Sequence, residues 1–138
     1  MTSFPLVADI SSYQPDEPAF FQALKNQGVK AVIVKITQGS ADGDAYINPK
    51  AKAQIGNARA AGLLVHGYHY ARFNGRQDAI NEAKWFYQNA IALGLGKESV
   101  LAVDAEDDAL AHYATADVNA FLQYLIDQQH LNVDVYSM

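Results

Sequence analysis

No cysteine occurs among the 138 residues, which rules out disulfides and thiolate metal sites. No apolar run approaches the roughly 20 residues that a membrane-spanning helix needs. Met1 to Ile10 holds no basic segment followed by a long apolar stretch, so it does not read as a secretory leader. Basic residues are few and scattered: 10 Lys and Arg stand against 15 Asp and Glu, for a net charge of −5. That balance gives no electrostatic support to binding nucleic acid. There is no HExxH pattern and no His/Cys cluster, so neither a metal nor a cofactor is expected. Glycine-rich phosphate loops and a G-x-S-x-G nucleophile elbow are absent too. Gly39 to Gly43 reads only as a polar turn. No linker or low-complexity stretch divides residues 1–138, and half of them are hydrophobic. One domain with a substantial core is expected.

What is present alternates. Short apolar runs at Leu6–Ile10, Ala31–Ile36, Leu63–Tyr70, Val100–Val103 and Val133–Tyr136 suit strands buried on both faces, as in a parallel sheet. Helical patterns fill the gaps, at about Pro18–Gln27, Pro49–Ala61, Gln77–Leu93 and from Thr115 onward. Asn48 is expected to cap the second helix and Thr115 the fourth. Gly28, Gly62 and Gly94 are expected to close the first three. In the fourth, Val118, Phe121, Leu122, Leu125 and Ile126 form an apolar stripe. Four strand–helix units and a fifth strand imply an α/β fold of βαβ crossovers, wound into a barrel or an open doubly wound sheet. A parallel barrel needs about eight strands. Five leave two open edges, and an unpaired last strand predicts self-association.

The strongest chemical signal follows the fourth strand, at Val103-Asp104-Ala105-Glu106. Loops at the C-terminal ends of parallel strands form the active face of such folds. Residues i and i+2 of a strand share a side, so Asp104 and Glu106 should face one pocket. Neighbouring carboxylates repel, and one then keeps its proton near neutral pH. The acid and ionised partner that result are what glycoside hydrolysis uses. Asp9 ends the first strand and should converge on the same rim. Tyr68 and Tyr70 end the third strand and Tyr136 the fifth, where a ring can stack on a sugar and a hydroxyl can bond it. Lys35 interrupts an apolar run and needs solvent or a carboxylate partner. His66 and His69, three apart on a strand, fall on opposite faces and cannot share a metal.

In family order, several stretches resemble the family 25 lysozymes. These are Asp9-Ile10-Ser11-Ser12-Tyr13-Gln14, Val32-Ile33-Val34-Lys35-Ile36-Thr37-Gln38-Gly39, Gly67-Tyr68-His69-Tyr70-Ala71-Arg72, Val103-Asp104-Ala105-Glu106 and Val135-Tyr136-Ser137. The resemblance implies a modified TIM-like (β/α) barrel with five βα-type strands visible and the closing strands missing. Residues 1–138 would then be a single catalytic domain, incomplete at its C-terminus and lacking the family's late active-site aspartate. It implies Glu106 as general acid/base, Asp104 as the residue that orients the substrate's acetamido group or supports charge, and Asp9 as an electrostatic stabiliser. Lys35, Tyr46, Tyr68 and Tyr136 would line the sugar groove. The implied partner is the peptidoglycan glycan strand, cut at the β-1,4 bond from N-acetylmuramic acid to N-acetylglucosamine. Action would lie outside the membrane, by endolysin-type release or after removal of a leader. Two alternatives stand beside this: a non-catalytic glycan-binding or inactive fragment, and a family 18 chitinase-like hydrolase. The second leaves Asp9 unexplained and requires aspartates near positions held by Leu101 and Ala102.

Overall fold

The structure, a computed structural model, describes residues 6–106 and 114–136. Among them are six strands and four helices. Strands β1 (Leu6–Ile10), β2 (Val29–Gln38), β4 (Leu64–Tyr70), β5 (Leu101–Asp104) and β6 (Val133–Tyr136) pair in that order, each parallel to its neighbour. The order never reverses, so the described sheet has no doubly wound switch point. β3 (Tyr46–Ile47) is a two-residue antiparallel addition to the end of β2, too short to leave a periodic signal in sequence. The crossovers are α1 (Pro18–Asn26), α2 (Ala51–Ala60), α3 (Arg76–Ala92) and α4 (Ala114–Asp127).

Alternation along the strands builds the core. Ile10, Val32, Val34, Ile36, Val65, Leu101 and Val103 pack against Phe21, Ile55, Phe86, Phe121 and Leu125 of the helices. Each large side chain so buried contributes roughly 1.5–3 kcal/mol. The α4 stripe is realised, with Val118, Phe121 and Leu125 buried. Alternate residues on the strands, among them Asp9, Lys35, Tyr68 and Asp104, belong to the other face.

Two caps differ from expectation. α2 begins at Ala51, with Lys50 in the cap position. The Asn48 side-chain oxygen accepts the Lys50 N–H at 3.0 Å, in a turn that leads into the helix. Thr115 lies inside α4 rather than at its cap. Asp117, buried in the same turn, accepts the Gly75 N–H at 2.9 Å and ties α4 to the start of α3. No helix among the described residues is long and apolar enough to cross a membrane.

Candidate active site

Register places the rim. Asp104 pairs with Tyr70, Tyr70 with Gln38, and Gln38 with Tyr46. One row across the C-terminal end of the sheet thus carries an acid, an amide and two phenols. Tyr136 joins this row through its backbone pairing with Asp104; its side chain lies outside the described residues. Lys35 pairs with Tyr68 one step below, and Asp9 ends β1.

The three acids meet. The Asp104 and Glu106 side chains share a hydrogen bond, and Asp9 bonds Tyr68 while standing in the field of Glu106. A bond between two carboxyl groups requires a proton on one of them. Asp104 is 1 % exposed. Burial, the bond to Glu106 and repulsion from Glu106 and Asp9 push it up to about 7, against the pull of Lys35. Among the described residues its Oδ1 has no hydrogen-bond partner. A buried carboxyl oxygen without a partner is able to engage a ligand donor. Asp9 lies on the exposed side of β1; partial desolvation raises its pKa, the bond to the Tyr68 hydroxyl opposes the rise, and the charge of Glu106 adds to it. Tyr68, 5 % exposed, is held above the ordinary phenol range by burial and by the Asp9 and Asp104 charges.

The second strand is bent to serve this rim. Register shifts between Lys35 and Thr37, so Ile36 is an extra residue opposite β4. Such a bulge re-aims the side chains after it. Lys35 and Gln38, three apart, would face opposite ways in a regular strand; here Lys35 Nζ donates to Gln38 Oε1 at 2.9 Å. The ammonium also lies 5.0 Å from the centre of the Tyr46 ring and 5.1 Å from that of Tyr70. Burial lowers the Lys35 pKa, and the charges of Asp104, Asp44 and Glu106 oppose that fall. Gln38 in turn donates to Asp44 at 2.8 Å, and Arg72 approaches Asp44 at 3.8 Å on the exposed edge.

Behind the rim lies a buried polar chain. His69 Nδ1 is 2.8 Å from Thr37 Oγ1, and its Nε2 is 2.8 Å from Glu82 Oε1. Glu82 Oε1 also accepts the Arg72 N–H at 3.0 Å. Thr37 and Glu82 thus engage both ring nitrogens of His69, and in the neutral ring one nitrogen donates and the other accepts. Burial lowers His69 to about 3, with the Lys35 charge adding to the fall. Burial likewise raises Glu82 to about 8. The contact is therefore a hydrogen bond to a neutral imidazole rather than an ion pair. The end of β4 held in this way is where the Ala71 N–H donates to the Asp104 carbonyl at 2.9 Å. His66 points elsewhere and accepts the Val100 N–H at 2.9 Å.

The sequence-derived residues Asp9, Lys35, Tyr46, Tyr68, Asp104 and Glu106 thus gather at one end of the sheet. Gln38, Asp44 and Tyr70 join them. Neither Gln38 nor Asp44 was singled out by sequence, because the bulge that turns Gln38 inward has no sequence mark. Among the described residues, no group of three or more His, Cys, Asp and Glu is disposed to hold a metal ion.

Comparison with known proteins gives this constellation a lineage. The autolytic lysozyme of Clostridium acetobutylicum is 30 % identical over 128 residues, 93 % of this chain and 37 % of the relative. The catalytic domain of endolysin ply40, from a bacteriophage of Listeria monocytogenes, superposes with a TM-score of 0.81 at 26 % identity, over 99 % of this chain and 65 % of that one. The modular Cpl-1 endolysin superposes with a TM-score of 0.74 at 26 % identity, over 95 % of this chain and 35 % of that one. The chain thus spans just over a third of the curated relative's length. The model of the glycosyl hydrolases family 25 matches residues 8–138, so the chain belongs to that family.

Proposed function

We propose that the chain is the catalytic portion of a peptidoglycan hydrolase that cleaves the β-1,4 bond between N-acetylmuramic acid and N-acetylglucosamine. The observation that carries this reading is the hydrogen-bonded Asp104–Glu106 pair, with Asp9 in its field, at the C-terminal end of a parallel sheet. Glu106 delivers its proton to the glycosidic oxygen as the bond to C1 breaks, then takes a proton from the incoming water. Asp104 orients the acetamido group or supports the positive charge that develops on the ring, and Asp9 adds negative potential. Lys35, Tyr46, Tyr68 and Tyr136 line the groove. The wall-lytic relatives support the substrate class: one is named an autolytic lysozyme, and Cpl-1 is described in complex with a peptidoglycan analogue.

We further propose that residues 1–138 belong to one domain built as a modified (β/α) barrel. Sequential strand order supports this. So does the reach of Asp9 to Tyr68 across β2 and to the field of Glu106 beyond β4, which favours a concave sheet. The open flank of β6 is proposed as a route to self-association. Action on the wall outside the membrane follows from the substrate, by endolysin-type release or after export with a leader.

Release of dye from labelled cell walls tests the reading. Glu106→Gln is expected to lower the rate by at least about 100-fold, the usual scale for general acid catalysis, while glycan binding is kept. An undiminished rate removes Glu106 from the mechanism. Binding without release by the unmodified chain favours a glycan-binding module.

A further inference from the structure

Tyr13 is 93 % exposed, the most open large hydrophobic side chain among the described residues. A lone exposed aromatic is ordinary on a protein surface. What distinguishes Tyr13 is the rigidity of the turn that carries it, four residues beyond Asp9 at the end of β1.

The turn is fastened from within. The Tyr13 N–H donates to Ser11 Oγ at 3.2 Å, and the Gln14 N–H to the Ser11 carbonyl at 3.1 Å. Gln14 Oε1 takes the Ser11 N–H at 2.6 Å and the Ser11 hydroxyl at 3.0 Å. From below, the fully buried Gln54 of α2 donates to the carbonyls of Ser11 at 2.8 Å and Gln14 at 3.2 Å. Gln54 Oε1 accepts from Asn48 Nδ2 at 2.9 Å, and Asn48 Nδ2 also donates to the Lys35 carbonyl at 2.9 Å. A relay of two buried amides therefore sets the Tyr13 turn in register with the strand that carries Lys35.

We propose that Tyr13 is a stacking platform for a pyranose ring of the glycan, extending the sugar groove past Asp9 on its β1 side. The inference rests on the wall-hydrolase reading for the identity of the polymer. A phenol ring offers a flat apolar face to the C–H face of a hexosamine. Tyrosine has few rotatable bonds, and its turn is already ordered, so little freedom is lost on binding.

The test is a co-sedimentation isotherm with purified insoluble peptidoglycan, using the 138-residue chain carrying Glu106→Gln so that the polymer stays intact. Adding Tyr13→Ala should weaken binding about 3- to 10-fold. Adding Tyr13→Phe should leave it within about twofold, because the ring remains. Tyr13→Ala binding as tightly as its parent overturns the proposal, as does Tyr13→Phe losing as much as Tyr13→Ala. A chain that binds the polymer but releases no dye before the Glu106 change removes the hydrolase reading, and the Tyr13 comparison still decides the platform. A chain that binds no peptidoglycan in either form removes both.

Discussion

Asp104 and Glu106, two residues apart at the end of β5, hold one proton between them. Burial and the bond to Glu106 keep Asp104 near 7, far above the ordinary aspartate value of 3.8. The value is that of Asp104, whose proton lies in the hydrogen bond to Glu106. Hydrolysis needs that proton for the leaving oxygen. Below about pH 7 the proton is present; above it the pair loses the proton and the catalyst its acid. The kcat/KM profile on labelled walls is therefore expected to fall as pH rises through about 7. A profile flat from pH 6 to 9 would contradict the assignment.

Lys35 works against this elevated value, because its positive charge favours the ionised Asp104. Lys35→Met should let the pair hold its proton more tightly. The alkaline limb is expected to move up by roughly 0.5–1 pH unit. Binding should weaken at the same time, since the ammonium between Tyr46 and Tyr70 is lost. A limb that moves down would show that Lys35 does not act on Asp104 through its charge.

Glu82 links pH to stability rather than to turnover. Its folded value of about 8 exceeds the ordinary 4.5, so the folded chain binds this proton more tightly than the unfolded chain. That contribution is complete below about pH 4.5 and is lost as pH rises through 8. His69 runs the other way: its folded value near 3 lies below 6.5, so stability is lost as pH falls below 6.5. Glu82→Gln keeps an oxygen for the Arg72 N–H and removes the titration. Because His69 and Asp104 titrate in both chains, the difference in urea-unfolding free energy between parent and variant isolates Glu82, and it should fall between about pH 5 and 8 with a slope approaching about 1.4 kcal/mol per unit.

Much of this was legible in sequence, for physical reasons. The largely apolar stretches Leu6–Ile10 and Val133–Tyr136 are strands as expected, but Val7 and Val135 on these flanks are exposed rather than buried on both faces. Asp9, Asp104 and Glu106 were visible because acids rarely follow such runs without cause. His66 and His69 separate as strand alternation requires. The bulge at Ile36 was not legible, because an extra residue inside a run of Val, Ile and Lys leaves the pattern intact. Its consequence, the Lys35–Gln38 contact, was hidden with it. Asn48 read as a helix cap because capping is the local role of asparagine; its contact with Gln54 is a tertiary one. Gln54 and Glu82 looked like ordinary polar residues on helices, and only packing shows that both are buried.

Gln54 is predicted to be structural in the plain sense. Gln54→Leu leaves the Ser11 carbonyl and one Asn48 amide hydrogen without their partners in a buried place. Each such loss costs about 1–3 kcal/mol. Unfolding free energy should drop by roughly 2–4 kcal/mol. Amide exchange should quicken at Tyr13 and Gln14 before it quickens in β5. A variant as stable as its parent would mean that water replaces the amide.

The flanks of the sheet carry the last prediction. Among the described residues β1 and β6 each pair on one side only. Val7 of β1 is 55 % exposed and Val135 of β6 is 44 % exposed. Unpaired N–H and C=O groups beside open apolar side chains are a template for another strand. The 138-residue chain is therefore expected to associate at micromolar concentration, as read by sedimentation velocity. Val7→Lys and Val135→Lys should each shift it toward monomer, because a charge at the seam must be desolvated when strands pair. If neither lysine changes the sedimentation coefficient while the parent associates, the contact lies elsewhere; if the parent is a monomer throughout, the flanks do not associate.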